Sequence, residues 1–171
     1  MRKQLIIIVL IVGMLSVVYG FNGTSTTISI GDEAPTFIVK NDRHKFTTSN
    51  HNGRFTLVAL WTSNDANSRA MATAYSRWFQ AAGKQAVINY AAINLDQDKT
   101  IYNEIVRQDR LPQETQYYGG PALAQNISAT YGLDGCYGAI LIDPDGTIVA
   151  VNPDVAFLEG LKASSEQCNI L

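Results

Sequence analysis

The stretch that decides the fold is Leu57-Val58-Ala59-Leu60-Trp61-Thr62-Ser63-Asn64-Asp65-Ala66-Asn67-Ser68-Arg69. Residues 55–61 are predicted to form a strand, because the continuous apolar run within them is typical of a strand covered on both faces. Asn64 or Asp65 can cap a following helix that runs to about Ala82, where Gly83 supplies the stop. Apolar residues recur at helical spacing along this helix, at Met71, Tyr75, Trp78, Phe79 and Ala82. The sequence therefore predicts a buried strand that leads directly into an amphipathic helix.

The segments on both sides of this stretch alternate in type. Further strands are predicted near Thr36–Val39, Phe46–Thr48, Ala86–Leu95, Ala139–Ile142 and Thr147–Val151. Further helices are predicted at Lys99–Gln108, Ala122–Tyr131 and Asp154–Ala163. A tight antiparallel turn is predicted at Asp143-Pro144-Asp145-Gly146. Because the strand–helix–strand order requires a parallel crossover, we expect an α/β fold with a mixed central sheet, helices on both faces and an N-terminal β extension.

The first twenty residues have the layout of a secretory signal peptide. Arg2 and Lys3 precede an apolar run from Leu5 to Val18, and Gly20 ends the segment with a small residue. The run is shorter than the roughly 20 residues that a membrane-spanning helix needs. Cleavage after Gly20 is therefore favoured, and a retained membrane anchor is the alternative. The predicted organisation is a signal peptide at 1–20, a flexible lead-in at 21–29 and one domain at 30–171.

The net charge of the chain narrows the classes of partner that it is expected to bind. Of the 13 Lys and Arg residues, Arg2 and Lys3 leave with the signal peptide, so eleven remain against 15 acidic residues, a net charge of about −4. This balance favours neither nucleic acid nor an anionic membrane surface as a partner. We also expect no stable membrane insertion after cleavage.

Few residues can carry redox or acid–base chemistry. The cysteines are Cys136 and Cys168, which could form one disulfide bond in an exported protein. The histidines are His44 and His51, which we interpret as surface or loop residues. Neither set suggests a cofactor, and none is predicted.

One spacing imitates a metal-binding loop. Asn94-x-Asp96-x-Asp98 resembles the first half of a calcium loop, but Lys99 replaces the required glycine and Ile105 replaces the bidentate glutamate. We interpret this segment as a solvated turn and predict no metal site.

Several short motifs together resemble a known family. The motifs are Gly31-x-x-Ala34-Pro35-x-Phe37, Leu57-Val58-Ala59-Leu60-Trp61-x-Ser63, and Tyr131-Gly132-Leu133 with Leu141-Ile142-Asp143-x-x-Gly146. They are similar to the opening segment, the strand before the active site and the closing segment of exported thioredoxin-like proteins of the TlpA/ResA and AhpC/TSA type. The resemblance covers nearly all of the mature chain. It implies a thioredoxin fold and a periplasmic or secreted location in a bacterium.

The chain departs from that family at its active-site positions. The family has W-x-x-x-C-x-x-C-R after the strand, and aligning Trp61 and Arg69 with that pattern places Asp65 and Ser68 at the two cysteine positions. Tyr137 occupies the position of the family's cis-proline. Since a cis bond before a non-proline residue costs about 2.5–4 kcal/mol, the peptide bond before Tyr137 is expected to be trans. The resemblance therefore implies a degenerate active site.

The replacements limit the chemistry at this position. A cysteine at a helix N-terminus is reactive because the helix dipole lowers the thiol pKa, whereas a carboxylate there acts as a cap worth about 1 kcal/mol. Asp65 cannot exchange electrons with a dithiol. Ser68 would need a general base to become a nucleophile, and the sequence places neither histidine beside it. We expect no thiol–disulfide exchange through the standard motif and no hydrolytic or peroxidase activity.

Aromatic residues are candidates for a binding edge. Trp61 and Tyr137 flank the active-site position, and Tyr117 and Tyr118 precede two glycines in a predicted aromatic loop. Aromatic side chains are enriched at binding surfaces, but packing residues would look the same in sequence. Both interpretations of Tyr117 and Tyr118 stay open at this point.

The sequence favours a non-catalytic accessory protein of the cell envelope that binds a periplasmic protein or peptide. The alternative is a redox protein of the thiol–disulfide oxidoreductase family that acts through the single thiol of Cys136. Without a resolving thiol nearby, Cys136 could form a mixed disulfide but could not complete a dithiol cycle. An inert buried thiol, a structural bond to Cys168 and a purely structural role for the domain are further interpretations.

Overall fold

The structure is a computed structural model that describes residues 28–49, 52–83, 88–131 and 137–168. The predicted signal peptide and most of the predicted lead-in lie outside these ranges, as do His51 and Cys136. No helix within the described ranges combines the length and apolar character needed to cross a bilayer.

A five-stranded mixed sheet forms the centre of the molecule. Its strand order is β5-β4-β3-β6-β7. The strands are β3 (Phe55–Trp61), β4 (Ile88–Asn94), β5 (Gln116–Tyr118), β6 (Gly138–Ile142) and β7 (Ile148–Val151). β3, β4 and β5 run parallel, whereas β6 pairs antiparallel with both β3 and β7. This mixed sheet confirms the predicted fold class.

Helices cover both faces of the sheet. They are α1 (Ala66–Ala82), α2 (Lys99–Gln108), α3 (Gly120–Tyr131) and α4 (Val155–Cys168). Side chains of α1, α2 and α4 pack on one face in a core that contains Leu57, Trp61 and Leu141. On the other face, Ile127 of α3 packs with Val58 and other alternate strand residues. β3 is buried on both faces because its side chains alternate between these two cores.

The predicted helix boundaries agree closely with the structure where capping signals were present. α1 begins after Asp65, which has an extended backbone, and it ends at Gly83, where φ is 60°. Only glycine adopts such a conformation readily, so the stop is encoded locally. α2 spans the predicted residues and begins after Asp98, whose side chain accepts the Thr100 N–H at 2.7 Å.

The N-terminal β extension is a small antiparallel hairpin of β1 (Ile38–Lys40) and β2 (Lys45–Thr47). The turn between its strands is attached to the β5 edge, because Asn41 Nδ2 donates to the carbonyl oxygens of Gln113 (3.0 Å) and Gln116 (3.2 Å). Phe37 and Val39 fill the space beside α3. The hairpin therefore extends the second core.

One predicted loop is a strand. Tyr117 and Tyr118 lie in β5, which pairs parallel with the end of β4 and follows a short 3₁₀ helix at Gln113–Thr115. Gly120 begins α3 instead of continuing a loop. The prediction of an aromatic loop was therefore wrong, because a strand of three residues has no periodic pattern and depends on pairing with a distant segment.

Candidate functional site

The candidate site is the corner where β3 ends and α1 begins, residues 62–65. β3 and β4 are in register up to Trp61 and Asn94, so both strands end at the same edge of the sheet. β6 begins at this edge too, because Gly138 pairs with Leu60. Tyr137, the residue before Gly138, therefore lies beside the corner, as its alignment with the cis-proline position implies.

Asp65 caps α1 through its side chain. Its Oδ1 accepts the N–H of Ser68 at 2.7 Å, and its main-chain oxygen accepts the N–H of Arg69 at 3.1 Å. The carboxylate lies at the positive end of the helix dipole, where negative charge is stabilising. Asp65 is therefore the N-cap of α1.

Ser68 is buried and takes part in local hydrogen bonds. Its side chain is 2 % exposed; its Oγ donates to the main-chain oxygen of Asp65 at 3.2 Å and accepts the N–H of Thr62 at 3.4 Å. His44 lies in the exposed turn of the N-terminal hairpin, where its main-chain N–H donates to Asn41 Oδ1. The described residues place no imidazole beside Ser68, so its hydroxyl serves the scaffold.

Asp96 is a residue of the corner that the sequence prediction missed. Its Oδ1 accepts the N–H of Ser63 at 2.9 Å, and its Oδ2 accepts Asn94 Nδ2 at 2.8 Å. Asp96 is 8 % exposed, so the prediction of a solvated turn was wrong for this residue. The physical reason is that the buried carboxylate satisfies a backbone N–H of a neighbouring segment. Its position directly after a strand parallel to β3 was the available signal.

Two of the four aromatic candidates, Trp61 and Tyr117, are packing residues. Trp61 is fully buried, its ring contacts Tyr102, and its Nε1 has no hydrogen-bond partner among the described residues. Tyr117 is 5 % exposed and packs against Phe46. For these two residues the structure corresponds to the packing interpretation, and neither ring forms a binding surface in this arrangement.

Tyr118 is half-buried and links α2 to the corner. Its hydroxyl donates to the main-chain oxygens of Asp96 (3.0 Å) and Gln97 (3.1 Å), and its ring packs on Tyr102. Burial is the main cause that raises the pKa of Tyr118. Its hydroxyl therefore stays protonated at neutral pH and holds the segment that carries Asp96.

Tyr137 is half-buried and borders an apolar cavity of about 230 Å³. The cavity lies between the N-terminal segment and the β3–β6 pair, with Phe37, Leu60 and Ile127 in its wall. Cys136 lies outside the described residues. The geometry of the Cys136–Tyr137 peptide bond, the environment of the thiol and the suggested Cys136–Cys168 disulfide therefore lie outside the described structure.

Arg69, the residue aligned with the family's arginine, forms an ion pair with Asp109. Arg69 Nε and Nη2 each donate to one carboxylate oxygen of Asp109 at 2.7 Å. The hydrogen bond from Arg69 lowers the pKa of the Asp109 carboxyl below its usual range. This bidentate pair ties the first turn of α1 to the end of α2.

A shallow groove of about 530 Å³ runs along α1 from the corner. Its wall includes Ser63, Asn64, Thr73 and Arg77 together with the Arg69–Asp109 pair. Among the described residues, no group of three or more His, Cys, Asp or Glu side chains could hold a metal ion. The corner thus presents polar hydrogen-bonding groups beside an aromatic edge.

Solved structures resemble this architecture closely. A thioredoxin-like protein from Parabacteroides distasonis superposes with a TM-score of 0.66 at 26 % identity, covering 80 % of this chain and 96 % of that one. The chain has the thioredoxin fold. The thioredoxin domain of a thiol-disulfide oxidoreductase from Bacteroides vulgatus shares this fold with a TM-score of 0.66 at 19 % identity, covering 82 % and 98 %. A thiol-disulfide oxidoreductase from Bacteroides fragilis gives 0.63 at 21 %, covering 78 % and 99 %.

No family model matches the sequence of this thioredoxin-fold chain, and no curated protein matches it. The likeness to thiol-disulfide oxidoreductases is therefore a likeness of structure. The fold alone does not determine the chemistry of this chain, which depends on the residues at its own site.

Replacing the cap tests the role of Asp65. We expect Asp65→Ala to lower the free energy of unfolding by about 1 kcal/mol, because the Ser68 N–H loses its acceptor. Asp65→Ser, which keeps a capping oxygen, should lower it by only a few tenths of that amount. Urea unfolding followed by circular dichroism measures both, and equal stability of all three proteins would contradict the capping role.

The Arg69–Asp109 pair predicts a pH dependence. Because the pKa of Asp109 is lower in the folded protein than its usual 3.8, the pair contributes stability above the usual value and loses it as the pH falls through the folded-state pKa. Solvent screens this partly exposed pair, so Asp109→Asn should cost only about 0.5–1 kcal/mol at pH 7. Urea unfolding should show this difference shrinking below about pH 4.

Glu104→Gln is the matched control for Asp109→Asn. It removes the carboxylate of the solvent-exposed pair with Arg107 and should leave stability nearly unchanged. A difference between Asp109→Asn and the native protein that stays constant down to pH 2 would contradict the assignment.

Proposed function

We propose that this thioredoxin-fold protein binds an extended protein or peptide segment and does not catalyse thiol–disulfide exchange at the corner. One observation carries the proposal: the N-terminus of α1 holds Asp65 as a cap and a buried Ser68, where thiol chemistry would need two sulfurs. A shared fold does not establish a shared reaction, so the proposal rests on the residues at the corner.

The electron balance of the exchange reaction supports the proposal. A thiolate attacks a disulfide, bonds to one sulfur and releases the other, and a second thiol must then attack the mixed disulfide to free the substrate. A carboxylate and a hydroxyl can perform neither step. Because the chain contains Cys136 and Cys168 and no other cysteine, residues 57–69 can supply no thiol.

The geometry supports binding where β3 ends and β6 begins, beside Tyr137, a surface that we call the β3–β6 edge. Tyr137 is half-buried beside the corner and borders an apolar cavity, while the groove along α1 begins on the other side of the corner. An aromatic group with adjacent apolar space and free polar groups suits an extended chain that carries alternating side chains.

Export to the bacterial envelope and a relationship to the TlpA/ResA type are part of the proposal. They rest on the arrangement of Arg2, Lys3 and the apolar run before Gly20, and on the opening, strand and closing motifs. A thiol-poor binding domain would be stable in that compartment, since it offers few groups for unwanted disulfide formation.

The alternative is a redox protein that acts through Cys136. The observation in its favour is that Tyr137 lies at the corner, and Cys136 is its neighbour in sequence. One thiol could be captured in a mixed disulfide with a substrate, but completing the exchange would require a further thiol from outside the site.

Restoring two thiols tests whether the corner explains the missing activity. The native protein should not accelerate insulin reduction by dithiothreitol, whereas Asp65→Cys/Ser68→Cys should accelerate it by at least about tenfold. The gain is expected because the first thiol would lie at the positive end of α1. The measurement is the rate of insulin precipitation.

Cys136→Ser separates the two hypotheses in the same assay. If the native protein is active and Cys136→Ser is not, the single-thiol alternative replaces the proposal. Activity of the native protein that survives this substitution would contradict both.

Removing the edge aromatic tests binding. A suitable probe is fluorescently labelled, reduced and carboxymethylated ribonuclease A, an unfolded chain without reactive thiols. Tyr137→Ala should weaken its binding by about fivefold or more, because an aromatic anchor at the edge is lost. Phe157→Ala is the matched control, since Phe157 is 46 % exposed on α4 and lines neither the apolar cavity nor the α1 groove. Fluorescence anisotropy that shows no binding, or equal loss in both variants, would contradict the proposed edge.

A further inference from the structure

A second concave surface lies away from the corner, between α2 and the turn that joins β1 to β2. This cleft encloses about 890 Å³, and we call it the cationic cleft. One wall carries Lys40 and Arg43, and the other carries Lys99, Arg107 and Arg110. Tyr102 lies at its floor, with 7 % of its surface exposed.

Positive charge is concentrated in the cationic cleft, although the whole chain has a net negative charge. Five of the eleven Lys and Arg residues that follow Gly20 line it, and Asp42 is the acidic residue among its described lining. Arg107 pairs with Glu104 on the exposed side of α2. Within the described ranges the other four cations form no ion pair. Because the net charge of the chain is negative, this concavity has a local field of the opposite sign to the net charge.

The walls of the cationic cleft are held in place. Asn41 Oδ1 accepts the main-chain N–H groups of Arg43 (3.0 Å) and His44 (2.6 Å), while its amide nitrogen bonds the β5 edge. The opposite wall is an intact helix that is capped by Asp98. Both sets of cations therefore project from backbone that needs no rearrangement to receive a ligand.

The spacing of the polar groups favours an extended ligand over a single small anion. Lys99, Asn103 and Arg107 follow one another at intervals of four residues on α2, a row that rises about 12 Å along the helix. An extended peptide advances about 3.3 Å per residue, so four or so residues would span this row. The Tyr102 hydroxyl adds a neutral polar group at the floor.

We propose that the cationic cleft binds an extended acidic peptide segment, with Arg43 on one wall and Lys99 and Arg107 on the other contacting its carboxylates. This site is separate from the corner and does not depend on the proposed function. Complementary charge should speed association and weaken with salt.

The test uses a fluorescein-labelled glutamate peptide of about six residues, long enough to span the row on α2. The native protein should bind it at low ionic strength and release it at about 0.5 M salt. Arg43→Glu/Lys99→Glu, which reverses one charge on each wall, should weaken binding by about tenfold or more. Arg54→Glu is the matched control, because Arg54 is exposed and lines none of the cavities described here, and it should change affinity by less than about twofold.

Thermal unfolding of each variant checks that the fold is retained, and Arg43→Gln/Lys99→Gln provides a milder variant if charge reversal prevents folding. Failure of the glutamate peptide to bind, or equal binding by the wall and control variants, would overturn the proposal. Displacement of the peptide by equimolar inorganic phosphate would overturn it in favour of a simple anion site. Stronger binding to vesicles of phosphatidylglycerol than to the peptide would overturn it in favour of a lipid surface.

Discussion

The burial of β3 on both faces and its pairing on both edges constrain the rest of the structure. Parallel pairing with β4 and antiparallel pairing with β6 fix the direction of this strand. The chain therefore turns out of the sheet at a defined point after Trp61. Asp96, which closely follows β4, holds the backbone at that position, because its carboxylate accepts a hydrogen bond from the Ser63 N–H. The first turn of α1 is therefore held beside the ends of three neighbouring strands, which is the geometry a reactive group at this corner would require.

The same geometry serves stability when the reactive group is absent. The positive end of a helix dipole lowers the pKa of a thiol, but it equally favours a carboxylate that accepts a backbone N–H. Asp65 uses the field in the second way, and Ser68 fills the adjoining buried position with a hydroxyl that bonds the corner backbone. The fold supplies a field at this position, and the side chain that occupies it determines what the field does.

The two surfaces proposed to bind partners differ in physical character. The β3–β6 edge offers the half-buried Tyr137 beside apolar space, whereas the cationic cleft offers a concentration of positive charge. α2 forms one wall of the cationic cleft, and its C-terminal end is fixed to α1 by the Arg69–Asp109 pair. Apolar contact at one surface and salt-sensitive attraction at the other would allow the protein to bind two kinds of segment by different forces.

The sequence by itself determined the elements that have local signals: β3 from its apolar run, α1 from Asp65 and Gly83, and α2 from its cap and periodicity. It also placed Asp65 and Ser68 at the start of α1, because they closely follow β3 in sequence. Only the tertiary structure decided that residues 116–118 form a strand, that Tyr117 is a packing residue and that Asp96 is part of the corner. Those features depend on hydrogen bonds and burial between segments distant in sequence, and neither propensity nor periodicity records which distant segments meet.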